Sequence, residues 1–146
     1  MPRLRDRASV DLPVEQTRAG LDRFFTSLRQ RDGVARIRLR VPGDGPAFGL
    51  SIDRTVRIEV RESLDPNSIR ITWAPEGPTI FPTFEGVLVT WPDGQEGLSY
   101  IELDGAYEPP FGAAGQIFDA AIGGRIAQAT AREFLKDVKE ALERPA

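Results

Sequence analysis

Gly105-Ala106-Tyr107-Glu108-Pro109-Pro110-Phe111-Gly112-Ala113-Ala114-Gly115 ends a pattern of alternating residues and opens a helical one that runs to Glu143. Beyond it, Ile126, Thr130, Phe134, Val138 and Leu142 recur every four residues, with Ala127 and Leu135 beside them. That spacing predicts an amphipathic helix. Arg125, Arg132, Glu133, Lys136, Asp137, Lys139, Glu140 and Glu143 fall mostly on its other side. Drawn over residues 116–143, the helix spans about 42 Å. Packing of an apolar face stabilises such a helix more than propensity does, so it requires a large partner surface. Gly123-Gly124 interrupts it; glycine there costs about 1 kcal/mol relative to alanine, which points to a bend or a close backbone approach. Pro109-Pro110 fixes the turn into the helix, and Gly112 and Gly115 permit a tight approach. A glycine-rich helix start suits a phosphate, but this spacing is not that of a nucleotide-binding loop. Asp119 suits the positive end of the helix dipole better than it suits catalysis.

The chain upstream supplies the partner surface. Leu4, Asp6, Ala8, Val10 and Leu12 alternate with Arg5, Arg7, Ser9 and Asp11, a half-buried strand with Asp6 as the exception. Pro13 ends it, and Val14, Thr17, Leu21, Phe24, Phe25 and Leu28 give a short helix over 14–29, with Gly33 as its cap. Ala35, Ile37, Leu39 and Val41 alternate with Arg36, Arg38 and Arg40, a row expected to pair with Asp53 and Glu59 on a solvated face. Residues 42–46 are a loop. Leu50, Ile52, Val56, Ile58 and Val60 then form a strand of about 44 Å, which matches the last helix in length. A turn at Asp65-Pro66-Asn67 leads to a strand around Ile69, Ile71 and Trp73, and Pro75-Glu76-Gly77-Pro78 punctuates again. Residues 79–91 put Phe84, Gly86 and Leu88 on one face and Glu85, Val87, Val89 and Trp91 on the other, with Pro82 marking an edge or bulge. Pro92-Asp93-Gly94 reads as a hairpin turn, and 98–107 as the last strand, with Ile101, Leu103, Gly105 and Tyr107 together. Runs of strands with segregated helices indicate an α+β fold: a curved antiparallel sheet of about six strands wrapped around the long C-terminal helix, with a short helix after the first strand.

Composition narrows the chemistry. The 146 residues fit a single domain spanning 1–146 that buries a core without disulfides. There is no cysteine and no histidine, which excludes thiolate chemistry and removes the commonest general base and metal ligand. Nothing calls for a metal or a cofactor. A net charge of −3 with both signs interspersed gives no basis for nucleic-acid binding. No apolar run reaches the length of a membrane span and no secretory pattern opens the chain, so a cytoplasmic protein is expected.

This order of elements, with the segment 105–115 followed by Asp119, Ala127, Thr130 and Phe134-Leu135, resembles the START-related superfamily. That superfamily, which takes in polyketide cyclases and the birch-pollen allergen family, shares the helix-grip fold. Phe81-Pro82-Thr83-Phe84-Glu85-Gly86-Val87-Leu88 is also similar to strand motifs in its uncharacterised bacterial members. The resemblance implies a hydrophobic cavity between the curved sheet and the terminal helix, of the kind that holds lipids, quinones, polyketides or plant hormones. A minority of such proteins are enzymes or chaperone partners. No ligand-specific signature of any branch is present here.

The leading expectation is therefore a binding or carrier domain for a small hydrophobic molecule. Its candidate lining is Arg54, Ile58, Trp73, Phe84, Leu88, Leu103, Tyr107, Phe118, Ile122, Ile126 and Thr130. Periodicity alone does not separate a cavity wall from packed core. Arg54 interrupts an apolar face; it meets an anionic ligand group, pairs with Asp6 or Glu85, or carries its head to solvent at a sheet edge. One alternative is a polyketide cyclase or dehydratase whose acid and base, without histidine, come from Asp, Glu, Tyr or Arg-assisted groups. The other is an interaction domain, in one version a homodimer, that uses the outer face around Val87, Val89 and Trp91.

Overall fold

The alternating stretches become six strands and the two helical patterns become two helices. In chain order these are β1 (Arg3–Val10), α1 (Val14–Gln30), β2 (Val34–Arg40), β3 (Ser51–Glu62), β4 (Ser68–Pro75), β5 (Thr83–Pro92), β6 (Ser99–Glu108) and α2 (Ala120–Glu143). The computed structural model describes residues 3–30, 34–40, 51–62, 65, 67–75, 83–108 and 120–144. The readings at Gly33, 41–46, Leu50, Pro66, 76–82, 109–115, Phe118 and Asp119 lie outside them.

All six strands join one antiparallel sheet in the order β1-β6-β5-β4-β3-β2. The strands flanking α1 therefore occupy opposite edges, and α2 lies close to both of them. A sheet whose two edges meet one helix is curled around it, and this is the helix-grip arrangement. The helix follows β1 rather than the length-matched β3. Gln128 donates to the Arg5 carbonyl and Lys139 to the Ser9 carbonyl, while the Asp11 amide donates to the Glu143 carboxylate. These contacts advance in the same direction along both elements, so α2 runs parallel to β1. It continues through Gly123-Gly124 without a break.

The inner face is the apolar one. Leu4, Val10, Ile71, Leu88, Ile101 and Leu103 are buried there against Ala127, Ala131, Leu135 and Val138 of α2. α1 closes one end, with Thr17, Gly20, Leu21, Phe25 and Leu28 buried. Its first turn is set by the Thr17 amide donating to the Pro13 carbonyl at 3.0 Å. Gly20 lets α1 pack closely on α2, where a Cβ would meet the end of the Leu142 side chain and oblige it to shift. The Ser99 hydroxyl gives its one proton to the Leu12 carbonyl at 2.8 Å, so Thr17 is the donor in the 2.7 Å contact between the two hydroxyls.

The outer face is charged. Arg5 and Arg7 stand opposite Asp104 and Glu102 in the register. Arg3 and Arg5 reach Asp104 at 3.0 and 3.2 Å, Arg7 reaches Glu102 at 3.6 Å, and Arg7 also lies over the Tyr100 ring at 4.3 Å. The Asp104 carboxylate raises the pKa of Arg5 by hydrogen bond and then by charge. Of the pairing expected for the β2 arginines, the register places Arg38 opposite Asp53, but Glu59 lies opposite Thr72 on β4. Two turns divide in the same way. At the turn over 65–67 the Asn67 amide donates to the Asp65 carboxylate at 2.9 Å. The β5–β6 hairpin is wider than a Pro-Asp-Gly turn: it closes between Asp93 and Leu98, and Gly97, not Gly94, takes the left-handed conformation with φ of 83°.

Candidate functional site

Register turns the inner face into cross-strand rows. One row reads Tyr107, Phe84, Trp73, Ile58 across β6, β5, β4 and β3. All four belong to the candidate lining, and all four are buried. The next row reads Leu4, Gly105, Gly86, Ile71, Val60, and the one after it Asp6, Leu103, Leu88, Ile69. The Tyr107 row lies where β4 and β6 end and β5 begins, at the end of the sheet away from the Thr17–Ser99 contact of α1.

The glycine pair shapes this row. A Cβ on Gly86 or Gly105 would fall 2.7 or 2.8 Å from the tip of the Phe84 ring, and each would also run into backbone of the opposite strand. Phe84 therefore lies down over both glycines and fills the space their side chains would take. The Trp73 ring stacks on it with centroids 4.4 Å apart and planes at 23°. Phe134 of α2 meets the same indole at 5.4 Å and 46°. At the other end of the row, the Tyr107 hydroxyl lies 3.4 Å from where a Cβ on Gly124 would be. The close backbone approach expected at Gly123-Gly124 is thus the seat of a tyrosine.

The remaining candidates divide. Leu88 and Leu103 are fully buried in the packed middle of the sheet, and Thr130 is buried on α2. Ile122 and Ile126 are α2 positions, Arg54 is a β3 position opposite Ile37, and Phe118 lies outside the described residues. Glu85 is exposed on the outer face, opposite Thr72, and so does not meet the inner face at all. Asp6 faces a groove between β1 and α2, where its carboxylate accepts from the Arg7 amide. Sequence reasoning places Phe134 in the core and leaves it out of the candidate lining; the Trp73 contact puts it in this cluster.

One polar atom of the row stands out. The Trp73 indole nitrogen is buried and has no hydrogen-bond partner among the described residues. Ring packing by Phe84 and Phe134 leaves the indole no free rotation to find one. On the outer face, Trp91 is the exposed large apolar side chain among the described residues, at 41%, and it stands opposite Tyr100. The described residues contain no cluster of acidic, histidine or cysteine side chains placed to hold a metal, and no helix long and apolar enough to cross a membrane.

No protein-family model matches the chain, and no curated protein matches it. Solved structures do. A conserved protein from Geobacillus kaustophilus is 17% identical with a TM-score of 0.62, over 97% of this chain and 95% of that one. A protein from Thermus thermophilus is 18% identical with a TM-score of 0.57, over 97% of both chains. The Zhui aromatase/cyclase from Streptomyces sp. R1128 is 13% identical with a TM-score of 0.54, over 97% of this chain and 91% of that one. At such identities the likeness is one of fold, and that fold is the helix-grip fold of the START-related, polyketide cyclase-like proteins.

Proposed function

We propose that this chain binds a small hydrophobic molecule on the inner face of its sheet, beneath α2, with the Tyr107–Phe84–Trp73–Ile58 row as one wall. The observation that carries the reading is the aromatic cluster on this row: Trp73 stacked on Phe84, Phe134 of α2 facing the same indole, and Tyr107 against Gly124, at the end of the sheet away from α1. Sites for small molecules are mostly apolar with a few placed polar groups, and this row has that composition. Native mass spectrometry of freshly purified protein tests it. A bound mass of a few hundred daltons, or one that appears on adding an aromatic hydrocarbon, is expected. A ligand-free mass that no such compound changes overturns the reading.

The second reading is an aromatase- or cyclase-like activity on a polyketide-like substrate. It draws on the fold shared with the Streptomyces aromatase/cyclase. Within the row, Tyr107 is the only side chain with a titratable proton, so acid–base chemistry here would run through its hydroxyl. Conversion of a linear poly-β-ketone by the purified protein, lost in Tyr107→Phe, would favour this reading over simple binding.

A further inference from the structure

Resting on the binding reading above, we infer that the Trp73 indole N–H donates a hydrogen bond to the ligand, and that the site therefore selects apolar molecules bearing a carbonyl oxygen, as in a ketone or quinone. Tryptophan Nε1 is a donor only, with a single direction set by the ring. Here the residue is 2% exposed, and the nitrogen has no partner among the described residues. Phe84 against the indole at 4.4 Å and Phe134 at 5.4 Å hold that direction fixed. A buried donor left unmade is costly, and buried polar groups in folded proteins are with few exceptions satisfied.

Three other buried hydroxyls follow the rule. Thr17, Ser99 and the Leu12 carbonyl form a closed chain, and Thr130 has a partner. The Arg18 Nε is also orphaned, but its guanidinium is only half-buried and donates to Asn67 through another nitrogen. Trp73 is thus the orphan that lies in the aromatic row. A bound acceptor atom relieves its cost, and a hydrocarbon does not. Ile58, Phe84 and Tyr107, the other described members of the row, bring no cation to it, which favours a neutral carbonyl over a carboxylate.

The chain has two tryptophans, so its ¹⁵N–¹H spectrum carries two indole signals, and Trp91→Phe assigns that of Trp73. The probes are 2-methyl-1,4-naphthoquinone and its carbonyl-free counterpart 2-methylnaphthalene; with no cysteine in the chain, the quinone forms no thiol adduct. The quinone should bind about tenfold tighter than the hydrocarbon and move the Trp73 indole proton downfield. Trp73→Phe should abolish the preference, so that the quinone and the hydrocarbon bind alike. If both compounds bind wild-type protein equally, or the quinone is preferred without moving the indole signal, the inference falls and the binding reading stands. If neither binds, both fall. Should Trp73→Phe fail to fold, the wild-type pair and the indole shift decide the matter.

Discussion

The two ends of the inner face are built differently. At the α1 end, Val10, Leu28, Ile101 and Val138 are excluded from solvent, and the buried hydroxyls are used up: Thr17 donates to Ser99, and Ser99 to Leu12, while Arg18 Nε, on a half-buried side chain, stays unpaired. At the other end, aromatic rings replace aliphatic chains, glycines replace side chains, and a buried donor is left over. A core built for stability alone satisfies its donors. Where local rules are broken while the rest of the fold obeys them, function is the usual reason.

The contrast is open to attack at several points, from the largest effect down. Gly105→Ala forces a Cβ into the Gly86 backbone at 2.6 Å and the Phe84 ring at 2.8 Å. Backbone does not yield as a flexible side chain would, so a loss of about 4 kcal/mol or outright failure to fold is expected in urea unfolding. A loss under about 1 kcal/mol would mean the two strands are not held so close.

Leu28→Ala, on α1, and Phe134→Leu test the two ends side by side. The first should cost about 2–5 kcal/mol and leave hydrocarbon affinity unchanged. The second, closer in volume, should cost under about 1.5 kcal/mol yet weaken that affinity, because it removes the ring facing Trp73. Equal effects on binding from both would erase the distinction between the ends.

Gly124→Ala should raise stability by roughly 0.5–1 kcal/mol through helix propensity, since the nearest atom to the new methyl is the Tyr107 hydroxyl at 3.4 Å. A fall in melting temperature would show that the tyrosine cannot shift. Asp137 provides a control away from both ends. Desolvation, and then Glu133 and Glu140, push its carboxyl pKa above the usual range. The folded state thus holds the proton more tightly than the unfolded chain, so stability falls as pH rises through the carboxylate range and the penalty is fully present at neutral pH. Asp137→Asn should stabilise slightly at pH 7, and the gain should vanish below the normal carboxylate pKa.

Much of this is legible in the sequence because it depends on local period. The alternation of Leu4, Ala8 and Val10 marks β1, the four-residue recurrence from Ile126 to Leu142 marks α2, and Gly123-Gly124 signals a close approach without naming its occupant. What stays hidden is non-local. Nothing near Arg5 and Arg7 in the chain says that Glu102 and Asp104 stand across from them, because strands about 100 residues apart in sequence pair only through the closed sheet. The site is half legible for the same reason. Alternation shows that Trp73, Phe84 and Tyr107 face inward, but only register puts them in one row. The unpaired indole proton is a property of surroundings, with no signature in composition. Gly97 escapes a reading by motif because Gly94, following Pro92-Asp93, offers a shorter turn than the one the hairpin adopts.

The aromatic row takes one residue from each of four neighbouring strands, and that has a consequence for how the protein acquires its site. No single hairpin contains the whole row, but β4 and β5 together already hold its stacked pair, Trp73 and Phe84. Since side chains alternate with a period of two, a single-residue insertion in any one of β3 to β6 would turn that strand's member of the row to the outer face. The row's pairings join consecutive strands and are local ones, in contrast to the distant pairing of β1 with β6, and local contacts form sooner. The newly made chain therefore builds its binding wall strand by strand, and α2, the last element in the chain, comes after the whole wall is in place to be covered.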